Sequence, residues 1–158
     1  AAYKRTTVKG GIAVNSTFYE EENYVIATCL IKAAEGTEFR VGAWLLEDGI
    51  KATQGNNGIT ALEGVDFNTH NNCIRYADSQ ATQNVFSGYP LGVIEAGKTA
   101  SREFAFKLKA NGNGSAAKWN HDNLRVIVFI STKEGNKWLV NNVVKCPKNG
   151  SVDFEYEN

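Results

Sequence analysis

The sequence predicts an all-β fold, a two-layer antiparallel β-sandwich of about eight strands with two long loops. Short runs of β-branched and aromatic residues recur along the chain, Gly, Asn or Asp bounds each run, and no segment keeps a 3.6-residue period for the length of a helix. A sheet this apolar must bury a face against another sheet. A chain of 158 residues can bury roughly 70% of the surface that its unfolded form exposes, so residues 1–158 are expected to form one domain.

The first third of the chain predicts three strands, at residues 11–18, 24–33 and 38–47. Each alternates with a period of two, and turns rich in Glu, Asp, Asn or Gly separate them. The second run is apolar on both faces, which indicates a central strand that is either covered on both sides or meets a partner with its outer face. The side chains that share a face in each strand are Ile12, Val14 and Phe18; Val25, Ala27, Cys29 and Ile31; and Phe39, Val41, Ala43 and Leu45.

Two long loops are predicted at residues 51–72 and 78–98, where Gly, Asn, Thr and Asp replace the alternation. A short strand at 72–77 lies between them, with Ile74 and Tyr76 on one face and Arg75 on the other. The second loop carries three rings that we expect to plug one end of the core, namely Phe86, Tyr89 and Pro90.

The last third of the chain predicts four strands. Residues 102–109 alternate without fault, which indicates one buried face and one exposed face. Residues 124–132 and 138–146 are joined by a turn at 133–136, and Pro147 ends the second of them because it removes a hydrogen-bond donor. The inward side chains of the first strand are Phe104, Phe106 and Leu108, and the last strand carries Val152, Phe154 and Tyr156.

Charge and hydropathy exclude several classes of partner. The 17 basic and 17 acidic side chains are interspersed and cancel, so no surface field concentrates nucleic acid or anionic lipid. The longest apolar stretch, residues 126–130, is far shorter than the ~20 residues that cross a bilayer, and no signal-peptide pattern opens the sequence. As given, the chain is expected to be soluble and to bind no nucleic acid.

The three cysteines, Cys29, Cys73 and Cys146, form no recognisable redox or zinc motif. At most one intramolecular disulfide fits an odd number, and the spacing leaves open which residues it would join. Cys29 stands at strand spacing with apolar neighbours, so we expect it to behave as a small apolar residue.

Several segments carry more than strand alternation, above all a Glu-Asp pair that follows an apolar strand and a His-x-x-x-x-Arg segment. The segments are Trp44-Leu45-Leu46-Glu47-Asp48-Gly49-Ile50, Gln54, His70-Asn71-Asn72-Cys73-Ile74-Arg75, Asn123-Leu124-Arg125-Val126-Ile127-Val128-Phe129-Ile130 and Asn141-Asn142-Val143-Val144. Together they resemble the C-terminal region of the twenty-eight-kilodalton outer-membrane protein family of Bacteroidetes. The resemblance covers nearly all of the chain.

The resemblance implies an immunoglobulin-like sandwich that commonly follows a thioredoxin-like domain in secreted or lipid-anchored proteins. It therefore implies an extracytoplasmic location in the bacterial cell envelope, at the periplasm or the outer-membrane surface. The thioredoxin-like half and its Cys-x-x-Cys are absent from this sequence, so no disulfide-exchange activity is carried over. Membrane attachment is expected only through a missing N-terminal lipid anchor or domain, and no catalytic residue is transferred.

The best candidate for a polar site comprises His70, Arg75, Glu47 and Asp48. A histidine beside carboxylates can act as a base or a metal ligand. We favour a structural role, in which Glu47 and Asp48 form a turn and Arg75 pairs with one of them. His70, His121 and the scattered carboxylates do not show the spacing of metal ligands. The sequence has no Gly-x-Ser-x-Gly motif for a nucleophilic serine, and no motif identifies a pair of carboxylates for glycosidic cleavage. The sequence therefore predicts no metal, no cofactor and no enzymatic activity.

The aromatic residues suggest a second kind of site, a platform for sugar rings or a protein partner. Trp44 and Trp138 fall within predicted strands and are expected to pack there. Trp119 lies in a polar stretch and is the best candidate for exposure, with Tyr89 as a further contact. The predicted ligand or partner contacts are thus Trp119, Tyr89, His70 and Arg75.

These observations predict a non-catalytic envelope module that mediates protein interaction or acts as a spacer next to a thioredoxin-like domain. The alternative is a carbohydrate-binding module of the cell surface. The expected partners are envelope or surface proteins or, under the alternative, glycans.

Overall fold

The computed structural model describes residues 7–54, 66–79 and 86–155. Its strands are β1 (Gly10–Tyr19), β2 (Tyr24–Ala33), β3 (Thr37–Glu47), β4 (Ile50–Lys51), β5 (Thr69–His70), β6 (Cys73–Asp78), β7 (Tyr89–Ile94), β8 (Thr99–Lys107), β9 (Ala110–Asn111), β10 (Lys118–Trp119), β11 (Leu124–Glu134), β12 (Lys137–Cys146) and β13 (Ser151–Val152), with a 3₁₀ turn at His121–Asn123. Within these segments eight strands have six or more residues, which matches the predicted number, but β7 takes the place of the predicted last strand. No helix of the described segments is long and apolar enough to span a bilayer.

The long strands form two antiparallel sheets. One has the order β13-β1-β2-β8, and the other has the order β12-β11-β3-β6, with β7 pairing the first half of β3. The neighbours β1-β2-β8 and β12-β11-β3 correspond to strands A-B-E and G-F-C of an immunoglobulin sandwich. The all-β, immunoglobulin-like fold class is therefore confirmed.

The core lies between the inner faces of the two sheets. Every residue that the sequence places on the shared faces of the first three strands is buried, and so are Phe104, Phe106 and Leu108. A fully buried side chain of this size contributes about 1.5–3 kcal/mol relative to an exposed one. Alternation in these strands thus gives a continuous apolar layer between the sheets.

The two lateral sides of the sandwich differ. On one side β12 is tied to β1, because Asn142 Nδ2 donates to the Gly10 carbonyl at 3.0 Å and Asn141 Oδ1 accepts from the Lys9 amide at 2.8 Å. On the other side β8 ends its sheet among the described strands, and side chains of β8 contact side chains of β6 and β7. The ring centroids of Tyr76 and Phe106 lie 5.8 Å apart there.

The predicted loop at 78–98 is wrong in part, because it contains strand β7. Pro90, a positive φ at Gly92 and a register shift opposite Phe39 and Arg40 interrupt the period of two that identifies a strand. The expected plug of three rings is also wrong, since Phe86 and Pro90 are exposed and only Tyr89 packs against the core.

Strand β6 departs from prediction for a similar reason. A bulge between Leu45 and Leu46 pairs Tyr76 with Leu45 and Ile74 with Leu46, so Ile74 and Tyr76 lie on opposite faces. The predicted loop at 51–72 contains the short β4–β5 ladder, and its residues 55–65 lie outside the described segments.

The last predicted strand is shorter than expected. Only Ser151–Val152 pairs with β1, and the Phe154 ring packs over Gly11, 3.1 Å from the position that a Cβ would take. Tyr156 lies outside the described residues. Strand β2 is central, as predicted, but its outer face is not covered by the described residues, because Tyr24 and Leu30 are exposed.

Candidate functional site

A buried ion pair occupies one end of the sandwich, where β3 ends. Glu47 is fully buried, and its Oε2 accepts from Arg75 Nε at 2.6 Å. The other oxygen, Oε1, accepts from the backbone amide of Asn120 at 3.0 Å. Arg75 Nη2 donates to the Gly114 carbonyl at 2.9 Å. The structure thus contains the pairing of Arg75 with the Glu-Asp turn that the sequence predicts, and it holds three segments together.

Trp119 is not exposed, contrary to the sequence-based prediction. Its relative exposure is 6%, it belongs to the core, and the Arg75 guanidinium lies 5.8 Å from its ring centroid. Polar residues near it in the sequence bond to one another: the His121 amide donates to Asn111 Oδ1 at 3.0 Å, and His121 Nε2 lies 2.8 Å from the Lys109 carbonyl. Local polarity was misleading because these groups are satisfied within the loop.

The close approach of the 111–119 loop depends on one glycine. Gly114 has a φ of +69°, and a Cβ there would lie 2.8 Å from Glu47 Oε1. A larger residue would meet both backbone strain and the buried carboxylate. The sequence signal for this contact was the Asn111-Gly112-Asn113-Gly114 run, which indicated positive φ but not its neighbour.

A second polar cluster lies beside the ion pair and was not predicted. Arg125 is paired with the Asp48 carboxylate, and its Nη2 donates to Asp48 Oδ1 at 2.8 Å. The same Oδ1 accepts from the backbone amide of Asn72 at 2.7 Å, where Asn72 has a φ of +55°. Asn123 Nδ2 donates to the Asp48 carbonyl at 3.1 Å. The turn after β3 is therefore anchored from both neighbouring strands.

His70 does not join these carboxylates. It lies on β5, and its Nε2 is 3.0 Å from the Ala52 carbonyl. Residues 7–54, 66–79 and 86–155 hold no group of three or more His, Cys, Asp or Glu side chains arranged to bind a metal ion. The polar side chains near the predicted site therefore bond to one another or to backbone groups.

A shallow groove of about 460 Å³ borders the second cluster. Its charged lining residues are Asp48, Asp122, Arg125, Lys145 and Lys148. Arg125 is paired with Asp48, and Lys148 is paired with Glu20 and Asp122. Because opposite charges neutralise each other along its wall, the groove does not present a strong field to an ionic ligand.

Tyr89 lies far from this end, on the open lateral side. The Arg102 guanidinium stacks 3.8 Å from its ring centroid, and the Phe104 centroid is 6.2 Å away. Its hydroxyl donates to Asp78, which raises the pKa of Tyr89. Tyr89 is thus half-buried. Of the four predicted contact residues, Arg75 and Trp119 lie together at the end of the sandwich, whereas His70 and Tyr89 lie apart from them.

The three cysteines are free thiols. Cys29 and Cys146 are buried in the core, and burial raises the pKa of Cys29 to about 11 and also raises the pKa of Cys146. Cys73 is partly exposed on β6.

An exposed apolar row, which we call the β2 row, lies on the outer face of the first sheet. It consists of Tyr19, Tyr24, Ile26 and Leu30, of which Tyr19, Tyr24 and Leu30 are 48%, 41% and 42% exposed. Register places Tyr19 directly opposite Tyr24 on the neighbouring strand. The outer face of an antiparallel sheet is usually polar where it meets only water. The row therefore has the composition of a contact site, and it differs from the exposed apolar side chains Leu139, Val140 and Val143 on β12 in carrying two tyrosines.

Comparison with known proteins identifies the family. The family model of the outer membrane protein Omp28 matches residues 2–150. The chain belongs to the Omp28 family. This membership confirms the resemblance read from the sequence and the location in the bacterial cell envelope, outside the cytoplasm. No curated protein matches the chain.

A solved structure of an Omp28 domain is similar in fold. It is the crystal structure of a domain of the outer membrane lipoprotein Omp28 from Porphyromonas gingivalis, with a TM-score of 0.52 and 17% sequence identity. The match covers 94% of this chain and 98% of that chain. At this identity the similarity shows the fold alone, and the Omp28 sandwich is therefore common to both.

Proposed function

We propose that this Omp28 sandwich is a non-catalytic interaction module of the cell envelope, which contacts a protein partner or spaces a neighbouring thioredoxin-like domain. The observation that carries the proposal is the β2 row. Envelope location follows from the family, whereas the contact role rests on this surface.

The geometry of the β2 row suits a protein contact. Thr17 and Ala105 lie on either side of Ile26, and Ala13 and Ser101 lie on either side of Leu30. These flanking side chains are small, so the tyrosine, isoleucine and leucine side chains stand above them. Aromatic and aliphatic side chains on a rigid sheet lose little conformational entropy on binding and dominate interface energies. The partner that fits is a protein with an apolar patch, since the row offers little charge to attract an ionic ligand.

The arrangement of the polar residues supports the non-catalytic part of the proposal. Glu47 and Arg75 neutralise each other, and Asp48 and Arg125 do the same. A general acid or base must reach a substrate proton, and a carboxylate fully committed to a buried pair is badly placed to do so. We do not propose carbohydrate binding at Trp119, because that ring is buried.

Crosslinking in envelope preparations of the source bacterium tests the proposal. The purified domain and the full-length protein are each added to the preparations at micromolar concentration. The variants Tyr24→Lys and Leu30→Lys, which place charge on the β2 row, are added in parallel. Val143→Lys, an exposed apolar position on β12 of the other sheet, is the matched control.

The expected result is a defined envelope protein that crosslinks to the wild type and the control but not to the β2 variants. Its purified form should then bind the wild type by calorimetry and lose about tenfold or more in affinity with Leu30→Lys. No partner at micromolar concentration in either form, or equal capture by all variants, would refute the proposal.

A further inference from the structure

Strand β8 leaves a long, regular edge unpaired by any described strand. It ends the sheet order β13-β1-β2-β8 and pairs β2 over nine residues without a register shift. Its sequence from Thr99 to Lys107 holds neither Pro nor Gly. The other edges are less suited to pairing. Strand β6 has six residues and a bulge, and β7 carries Pro90 and a positive φ at Gly92. Strand β13 has two residues, and β12 is tied to β1 by side chains.

The backbone bonds at the ends of β8 show which residues face the free edge. The Leu108 amide donates to the Asn23 carbonyl at 2.8 Å, and the Lys98 carbonyl accepts from the Ala33 amide at 3.0 Å. Because bonding direction alternates along an antiparallel strand, the even-numbered residues bond toward β2. The odd-numbered residues therefore present their N–H and C=O groups outward.

The charges on these odd-numbered residues are self-complementary. Glu103, Ala105 and Lys107 are exposed on the outer face, and within the described segments neither charged residue has an ion-pair partner. If a second copy runs antiparallel with Ala105 on the two-fold axis, Glu103 of each copy faces Lys107 of the other. Opposite charges at such cross-strand positions attract, whereas moving the two-fold axis by two residues, to Glu103, would set Glu103 against Glu103.

We propose that two copies of this chain pair through the free edges of β8, centred on Ala105, and form one continuous eight-stranded sheet. This interface is isologous, as a two-fold dimer requires. Ile26 lies opposite Ala105 within each copy, so the pairing also joins the two β2 rows into one surface. The inference goes beyond the proposed partner contact and does not depend on it.

Sedimentation equilibrium of the purified chain tests the proposal, up to about 500 μM. The wild type forms a reversible dimer. Glu103→Lys and Lys107→Glu each set like charges opposite one another and weaken the dimer by about tenfold or more, whereas the double charge swap restores it. Glu38→Lys, the same charge change at an exposed residue of β3, is the matched control and leaves the dimer unchanged.

A disulfide provides a second measurement that locates the axis. In a Cys73→Ser background, Ala105→Cys places two thiols across the axis at a Cα separation that a disulfide can span, about 5.5 Å. Mild oxidation should give covalent dimers with Ala105→Cys and not with Ser101→Cys. The proposal is overturned if the chain stays monomeric, and this holds whether the β8 edge remains unpaired or binds a strand of another protein. It is also overturned if the chain dimerises and neither charge reversal weakens the dimer.

Discussion

At the residue scale, the end of the sandwich is organised by a carboxylate that the sequence placed in a turn. Glu47 is fully buried, and Arg75 and the Asn120 amide satisfy its two oxygens. A buried carboxylate without such partners would carry a desolvation cost of several kcal/mol. The pairing was predictable from the Glu-Asp turn and the later arginine, whereas the burial of Trp119 beneath the same loop was not.

Replacing Arg75 by methionine should destabilise the fold strongly. Arg75→Met leaves Glu47 charged and unpaired, and we expect the free energy of unfolding to fall by about 3 kcal/mol. Urea denaturation followed by tryptophan fluorescence measures the change. Lys51→Met removes an exposed ion pair with Asp66 and should cost less than about 1 kcal/mol.

A second variant separates charge from packing at this site. Adding Glu47→Gln to Arg75→Met removes the unpaired charge, so the double variant should be more stable than Arg75→Met alone. Equal stability of Arg75→Met and Lys51→Met would contradict the role assigned to the buried pair.

At the element scale, β1, β2, β3, β8, β11 and β12 were predicted because each is long enough to show its own alternation. The sequence-based prediction missed β7 and assigned the faces of β6 wrongly, because register shifts opposite β3 insert an extra residue into each of these strands. A single extra residue exchanges the two faces of a strand. Such bulges depend on how a strand pairs with its neighbour, so the alternation of residues within one strand does not reveal them.

The outer face of β3 offers a test of close packing between elements. A Cβ at Gly42 would lie 2.4 Å from Phe129 Cζ and 2.9 Å from Ser79 Cβ. Gly42→Ala should therefore overpack this face and lower the free energy of unfolding by about 1–3 kcal/mol. Gly36→Ala is the control, because its nearest heavy atoms lie 3.8 Å away.

The measurement is again urea denaturation, in which Trp44 provides a local signal because its ring centroid lies 5.6 Å from that of Phe129. The expected order of stability is wild type and Gly36→Ala together, with Gly42→Ala below them. If Gly42→Ala matched the control, the packing of Phe129 against β3 would be looser than described.

At the scale of the whole molecule, two sheets protect one interior and leave exposed the two surfaces at which we propose association. Cys29 comes from the first sheet and Cys146 from the second, and both thiols lie in the shared core. The β2 row and the free edge of β8 belong to the same sheet, which concentrates the proposed contacts on one half of the sandwich. The polar end, by contrast, serves to fix loops.

Thiol labelling should report the integrity of the interior. With an aromatic disulfide reagent at neutral pH, we expect only Cys73 of the three free cysteines to react in the native protein, and all three to react in urea. Burial keeps Cys29 protonated, since its pKa of about 11 lies far above neutral pH. Cys73→Ser should abolish native labelling, and rapid reaction of Cys29 or Cys146 without denaturant would contradict the packed core.

The sequence by itself determined the fold class, the faces of the long strands and the family, because alternation and motif residues are local properties of each segment. Only the tertiary structure decided that β2 pairs with β8 and β3 with β11, that Trp119 turns inward, and that no described strand pairs with the outer edge of β8. These outcomes depend on which distant segments bury each other's apolar faces and satisfy each other's polar groups. These contacts form between segments that are distant in the chain, so no single segment determines them.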